Sequence, residues 1–178
     1  WSSDVCSSDL GMELPLPDSL HIIERIPGHM PSLGKSAGEE LNWAYRIQDT
    51  TTNETFIGMF CKPNHITYLD ISTWDKLQTD EYKHITWYYT AVGYICRTVK
   101  QDDSCKMAYL HQFIMNHHGK GRGGESIDHI NQNKLDNRSS NLRIASQSTQ
   151  NENRGKVSRH KRSEEHTSEL SHEWISRM

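Results

Sequence analysis

The chain contains 178 residues, of which 20 are Lys or Arg, 23 are Asp or Glu and 11 are His, so its formal net charge is −3. No apolar run approaches the roughly 18 residues that a membrane-spanning helix needs, and the four cysteines include no CxxC pair. These features argue against an integral membrane protein, a zinc ribbon and a disulfide-rich secreted domain. We therefore expect a soluble protein of the cytoplasm or host-cell interior, not secreted and without a membrane partner.

Both ends of the chain resemble a translated sequencing adapter. Residues 2–10 read SSDVCSSDL and residues 162–170 read RSEEHTSEL, which correspond to the two strands of one adapter sequence. Segments of this kind must be set aside before composition is interpreted. We therefore expect residues 1–10 and 162–178 to be artefacts, and the natural protein to extend beyond both ends.

The remaining residues have an uneven distribution of charge. Residues 117–161 contain nine Lys and Arg against four Asp and Glu, whereas residues 11–116 contain nine against thirteen. A basic segment that follows a mildly acidic one predicts contact with a polyanion at one end of the molecule.

The first part of the chain predicts a leader followed by a β-containing module. Residues 11–42 are rich in Pro, Gly and Ser with little periodicity, which predicts a leader or linker that is poorly ordered alone. Residues 43–117 contain aromatic and β-branched runs separated by polar turns, which predict a small β-rich module. The predicted strands are Trp43–Gln48, Thr55–Phe60, Ile66–Ile71, Gly93–Val99 and Lys106–Leu110, and the predicted helices are Ser72–Leu77, with Ser72 as its N-cap, and His111–His117.

A glycine-rich segment separates this module from the next one. Residues 118–124 read HGKGRGG, and so many glycines with two cations predict a flexible basic linker. Residues 125–161 then predict a strand at Ser126–Ile130, a polar loop, a strand at Asn141–Ser146 and a helix at Gln147–Arg154. So small a unit buries little apolar surface, and a bound metal would supply the missing constraint.

The motifs of this segment resemble one nuclease family. DHI is followed by an Asn-rich loop with KLDNR, then by NLRIA and a helix with QNENR, which is similar to the HNH endonucleases, especially the homing endonucleases of phages and large DNA viruses. The resemblance covers residues 109–154. It implies an α+β fold with a C-terminal ββα-metal nuclease motif, a viral or mobile-element origin, and the hydrolysis of phosphodiester bonds in double-stranded DNA with Mg²⁺ or Mn²⁺.

The same motifs give the candidate site residues. His129 is the expected general base, because an imidazole has an appreciable neutral fraction at physiological pH. Asp128 is the expected first metal ligand, since hard oxygen ligands suit Mg²⁺. The resemblance places a second ligand on the closing helix. Its usual spacing reaches Gln150, but Asn151 has the expected chemistry and is preferred, with Asn153 as the fallback.

Asn141 resembles the middle Asn of the motif, and we expect it to hold the loop and to orient His129 through hydrogen bonds. For His111 we expect a role against DNA or in the core. Basic side chains of the segment are candidate phosphate contacts, which position a duplex without reading its sequence. These candidates are Arg138, Arg143, Arg154, Lys156 and Arg159.

Two other functions are compatible with these residues. The chain could be a DNA-binding module that keeps the fold but has lost cleavage, which an off-pattern helix ligand would favour. It could also be an RNA-directed nuclease, because the site recognises a phosphodiester. In each case the β-rich module of residues 43–117 could contribute DNA recognition.

Overall fold

The computed structural model describes residues 16–119, 124–146 and 148–152. Within these residues the chain forms β1 (Leu20–Ile26), β2 (Ala44–Asp49), β3 (Thr55–Cys61), β4 (His65–Leu69), α1 (Ile71–Leu77), β5 (Tyr88–Tyr89), β6 (Ile95–Gln101), β7 (Ser104–Tyr109), α2 (Leu110–Met115), β8 (Ser126–His129), a 3-10 turn (Ser139–Asn141) and β9 (Leu142–Ala145). Residues 148–152 are helical. The fold is therefore mixed and strand-rich, with few and short helices, in agreement with the expected α+β class.

Strands β1 to β4 form an antiparallel sheet in the order β1-β2-β3-β4. The predicted hairpin of β2 and β3 is confirmed, with Ile47 opposite Phe56 and Ala44 opposite Met59. The prediction of a poorly ordered leader is wrong for Leu20–Ile26, because these residues form β1 and pair with β2.

Strands β5, β6 and β7 form a second antiparallel sheet. The predicted hairpin of β6 and β7 is confirmed, and it turns at Asp102, whose φ of 52° places it in the left-handed region. Asp tolerates this region better than most residues, which explains its place in a tight turn. Most of β7 is exposed, so the hairpin extends away from the core.

One core joins the two sheets and both helices. Residues of β3, α1, β6 and α2 meet in it, together with Trp87, which directly precedes β5. Its largest fully buried side chains include Trp87, Ile57, Ile95 and Leu110. A smaller cluster of Tyr45, Ile47 and Phe56 lies on the opposite face of the first sheet. Because both faces are covered, six successive residues of β3 from position 56 to position 61 are buried.

The loop between β8 and the 3-10 turn, residues 130–138, packs against the edge of the first sheet; we call it the site loop. The backbone N–H of Tyr68 donates to the carbonyl of Leu135, and the N–H of Asn137 donates to the carbonyl of Tyr68. These bonds form a parallel bridge between Tyr68 and Asp136. The C-terminal hairpin is thus attached directly to β4, whose edge would otherwise be unpaired.

Helix α1 begins at Ile71 and has Asp70 as its N-cap, so the predicted cap at Ser72 is displaced by two residues. The Asp70 carboxylate accepts hydrogen bonds from the backbone N–H and hydroxyl of Ser139 instead of capping α1. No helix among the described residues is long and apolar enough to cross a membrane.

Candidate active site

Asn141 holds the two ends of the site loop together. Its Oδ1 accepts a hydrogen bond from the backbone N–H of Asn131 at 2.9 Å, and its Nδ2 donates to Asn131 Oδ1 at 2.9 Å and to the carbonyl of Asp136 at 2.8 Å. The side chain is buried, so loss of these bonds would leave polar groups unsatisfied. The role expected for Asn141 in holding the loop and orienting His129 stays a prediction, and these bonds link Asn141 to Asn131 and Asp136.

A buried carboxylate supports the same loop. Asp136 is 3% exposed, and Arg138 donates to both of its oxygens at 2.8 Å. Burial raises the pKa of Asp136, but the hydrogen bonds and the charge of Arg138 outweigh it and hold the pKa below its ordinary value. The guanidinium of Arg138 also bonds to Glu54 and lies 4.6 Å from the ring centroid of Phe56. Arg138 therefore stabilises the site loop, and its side chain is only 20% exposed.

His129 ends β8 and is 4% exposed. Its Nε2 lies 3.1 Å from Oδ1 of Asn137. Burial lowers the pKa of His129, and the hydrogen bond to Asn137 offsets part of this effect. Since the neutral imidazole is the form that can accept a proton, a lowered pKa favours a general base.

His129 and Asp128 line one cavity of about 220 Å³. The other lining residues are Tyr94, Ile127, Gln132, Lys134 and Gln150. Asp128 Oδ2 accepts hydrogen bonds from Nη2 of Arg143 at 2.9 Å and from Nε at 3.2 Å. The pairing follows from the register of the hairpin, where Asp128 is opposite Arg143. The cavity thus combines a buried imidazole with a carboxylate whose charge is partly balanced.

The helical residues 148–152 contribute Gln150 to the cavity wall. Gln150 is partly buried and its Nε2 donates to Oγ of Ser126. Asn151 is exposed and is absent from this wall. Gln150 therefore lies at the cavity that contains Asp128 and His129, and Asn151 does not. The sequence favours Asn151 as the second metal ligand because of its residue type. Asn153 lies outside the described residues.

An aromatic cluster borders the cavity. The ring of His111 lies 5.5 Å from the ring of His129 and 5.1 Å from that of Tyr94, measured between centroids. Burial, with a smaller effect of His129, lowers the pKa of His111 to about 4. Lys134 Nζ lies 4.3 Å from the ring centroid of Tyr94 and donates to the carbonyl of Val92 at 2.8 Å. Tyr94 and His111 line a second cavity of about 350 Å³, which shares Tyr94, Ile127 and Gln150 with the first.

The structure brings together several residues that the sequence predicts. Asp128 and His129 share a cavity, Arg143 contacts Asp128, and Asn141 braces the loop behind them. Arg154, Lys156 and Arg159 lie outside the described residues. Sequence reasoning did not single out four residues of this region, which are Tyr94, Lys134, Asp136 and Asn137. The motif KLDNR carried a signal for Asp136 and Asn137, because buried amides and carboxylates commonly organise polar loops.

The family comparison agrees with the resemblance seen in the motifs. Residues 108–152, about a quarter of the chain, match a family model described as HNH endonuclease. No curated protein and no solved structure matches the chain. The match begins near the end of β7 and includes α2, β8, the site loop, β9 and the helical residues 148–152. The segment of residues 108–152, which holds Asp128 and His129, is therefore identified as a member of the HNH endonuclease family.

Proposed function

We propose that the chain is a metal-dependent endonuclease that hydrolyses phosphodiester bonds in double-stranded DNA and acts as a homing endonuclease. One observation carries the proposal: a buried His129 with a fixed ring shares a cavity with the Asp128 carboxylate inside the HNH segment. An imidazole can act as the general base and a carboxylate can hold a metal ion in the hydrolysis of a phosphodiester. The order β8, site loop, β9 and helical residues 148–152 supports the ββα-metal interpretation of this segment.

His129 is the proposed general base. It accepts the proton of a water molecule while that water's oxygen forms a bond to phosphorus and the bond to the leaving oxygen breaks. The lowered pKa of His129 keeps the imidazole neutral near pH 7. Asn141 acts indirectly, because its hydrogen bonds reach Asn131 and Asp136 and fix the loop that faces the cavity.

The residues of the cavity fit a hard divalent cation. Asp128 offers a carboxylate, and Gln150 offers an amide oxygen while its amide nitrogen bonds to Ser126. The described residues contain no group of three or more His, Cys, Asp or Glu side chains suited to a metal. A site with one carboxylate and one amide oxygen suits Mg²⁺ or Mn²⁺, because these ions keep several waters and use one or two carboxylates together with substrate phosphate. A bound cation would neutralise charge on the phosphate and on the leaving oxygen.

Basic side chains near the cavity are proposed to contact the DNA backbone. Lys134 lines the cavity directly, and Arg143 has a side chain 38% exposed beside Asp128. Arg154, Lys156 and Arg159 follow the helical residues in the chain and are retained as proposed phosphate contacts. Arg138 is a weaker candidate because it is held by Asp136 and Glu54.

The proposed organisation has two parts. Residues 125–161 form the nuclease part, and residues 43–117, extended at the front by β1, form the β-rich part that could contribute DNA recognition. The β6–β7 hairpin favours this assignment, because it begins beside Tyr94 at the cavity and most of β7 is exposed.

Plasmid cleavage by the full chain tests the function. Wild-type protein, His129→Gln and the control His21→Gln, whose side chain is exposed on β1, are incubated with supercoiled DNA and Mg²⁺, Mn²⁺ or EDTA. We expect nicked or linear DNA only with a metal, and a loss of about 10²- to 10⁴-fold in rate for His129→Gln, while His21→Gln cuts like wild type. Binding without cleavage would favour a catalytically inactive DNA-binding module, and cleavage confined to RNA substrates would favour an RNA-directed nuclease.

A second experiment identifies the helix ligand. Gln150→Ala and Asn151→Ala form a matched pair of neighbouring amides, and calorimetric titration with Mn²⁺ measures their metal affinity in the absence of DNA. We expect Gln150→Ala to weaken binding by about 10- to 100-fold, the size of effect typical of residues at a metal site, and Asn151→Ala to leave it unchanged. The reverse result would restore Asn151 as the ligand.

A further inference from the structure

Two buried side chains connect the first sheet to His129. Asn137 is 1% exposed and Thr67, on β4, is fully buried. Oδ1 of Asn137 lies 3.1 Å from Nε2 of His129, and Nδ2 of Asn137 donates to Oγ1 of Thr67 at 2.9 Å. These contacts form a continuous path from the sheet to the ring of the proposed general base.

The surrounding acceptors fix the orientation of the Asn137 amide. Nδ2 also donates to the backbone carbonyl of Lys134 at 3.3 Å, and a carbonyl can only accept. The hydroxyl of Thr67 donates to the carbonyl of Leu135 at 2.8 Å, so its oxygen receives the bond from Asn137. A flipped amide would place Oδ1 against two acceptors. Oδ1 therefore faces His129.

This orientation decides which nitrogen of His129 carries the proton. An amide oxygen can only accept, so Nε2 must donate to it. A neutral imidazole has one N–H, which leaves Nδ1 as the nitrogen able to accept a proton. The bond from Nε2 to Asn137 thus selects one tautomer and one ring plane, as hydrogen bonds to a histidine generally do.

We propose that Asn137 and Thr67 are positioning residues that hold neutral His129 with Nε2 protonated and with Nδ1 as the proton acceptor for cleavage. The catalytic part of this inference rests on the proposed function, whereas the tautomer can be tested without DNA. Thr67 lies outside residues 108–152, so the HNH segment takes part of its catalytic geometry from the N-terminal sheet.

Two substitutions at Thr67 separate the hydroxyl from the packing. Thr67→Val keeps the shape of the buried side chain but removes the acceptor for Asn137, and Thr67→Ser keeps the acceptor. Thr73→Val is the matched control, since Thr73 is a buried threonine on α1 that is not part of this path. Asn137→Ala removes the acceptor for His129 itself and provides a second route if Thr67→Val fails to fold.

The first readout is the ¹H–¹⁵N spectrum of the imidazoles in metal-free protein at neutral pH. We expect a protected Nε2–H resonance from His129 in the wild type and in Thr73→Val, its loss in Asn137→Ala, and at least tenfold faster exchange in Thr67→Val than in Thr67→Ser. A proton on Nδ1 in the wild type, or a resonance that all variants retain unchanged, would overturn the assignment of the two residues.

The second readout is plasmid cleavage with Mg²⁺. We expect kcat to fall about 10- to 100-fold in Asn137→Ala, as for other residues that orient a functional histidine, and to fall in Thr67→Val with recovery in Thr67→Ser, while KM for DNA is unchanged. Variants that lose the resonance but cut at the wild-type rate would overturn the catalytic role. A wild-type protein that never cuts would overturn the nuclease proposal and that role with it, and the imidazole spectrum would still test the tautomer.

Discussion

The first sheet and the site loop each contain buried side chains, but different interactions hold them. In the sheet, Ile57, Met59 and Leu69 are at most 1% exposed and pack against other apolar side chains. In the loop, the buried side chains are Asp136 and Asn137, which make directional hydrogen bonds. Apolar packing is non-directional and supplies most of the stability of a fold. Hydrogen bonds add less free energy but fix distances and angles.

The difference separates stability from geometry within one chain. Substitutions in the sheet should lower the free energy of unfolding of the whole molecule, because its core also includes α1, β6 and α2. Substitutions in the loop should disturb the site first. Four predictions test this contrast.

The largest effect is expected for Ile57→Ala. Ile57 is fully buried at the centre of the core, and truncation to Ala removes apolar contacts and leaves a cavity. We expect the free energy of unfolding to fall by about 2–5 kcal/mol, measured by urea denaturation. Ile23→Ala on β1 is the control, since Ile23 is 49% exposed. A loss below about 1 kcal/mol for Ile57→Ala would contradict the view that this core carries the stability.

Acidification should destabilise the site side of the molecule through His111. Its pKa is about 4 in the folded state, lowered by burial and then by His129, against 6.5 ordinarily. The unfolded chain therefore binds more protons between these values, so this contribution to stability is present above pH 6.5 and is lost as pH falls to about 4. We expect at most about 3 kcal/mol from this group.

Urea denaturation at pH 7 and pH 4 measures the effect of His111. His111→Gln should show a smaller loss on acidification than wild type, because Gln does not titrate. Equal pH dependence in the two proteins would mean that other groups, His129 included, account for the acid sensitivity.

A smaller effect is expected for Asn141→Ala. This change leaves the backbone N–H of Asn131 and the carbonyl of Asp136 without their partner, at a cost of about 1–3 kcal/mol. Hydrogen exchange should increase in the site loop while β3 keeps its protection. Asn64→Ala, at an exposed position between β3 and β4, should change neither. Uniform loss of protection across both regions would show that loop and sheet unfold as one unit.

The smallest effect is expected for Glu54→Gln. Glu54 is 47% exposed and pairs with Arg138 across the surface, and exposed ion pairs contribute about 1 kcal/mol or less. Asp136→Asn is the buried counterpart and should cost more, since Asp136 is 4% exposed in its side chain. Thermal melts of the two variants decide the order. A larger loss of thermal stability for Glu54→Gln than for Asp136→Asn would mean that Arg138 is held mainly by its surface pair with Glu54.

The sequence predicted those strands whose pattern is local. Strands β2 and β3 follow aromatic and β-branched runs with a polar turn between them. Strand β1 was missed because LHIIERI is a short run flanked by Pro17 and Pro27, in a stretch rich in loop-forming residues. Its partner β2 begins at Ala44, well beyond this run, and a pairing at that distance leaves no local signal.

The candidate site also combines residues that a local motif identifies with contacts between residues far apart in the chain. Asp128, His129 and Asn141 belong to a motif with fixed spacing, so the sequence alone singles them out. The link from Asn137 to Thr67 joins residues 70 positions apart and depends on how the site loop meets β4. Gln150 and Asn151 are neighbours of similar chemistry, and only the direction of each side chain relative to the cavity distinguishes them.

The bridge between Tyr68 and Asp136 limits how the HNH segment can be transplanted. A fragment cut at the boundaries of the family match would separate the site loop from β4, and Asn137 would lose the hydroxyl that orients it. A recipient scaffold would need an edge strand that offers its backbone to the loop and a threonine or serine at the matching position. In this protein the portable unit is therefore the HNH segment together with the strand on which it rests.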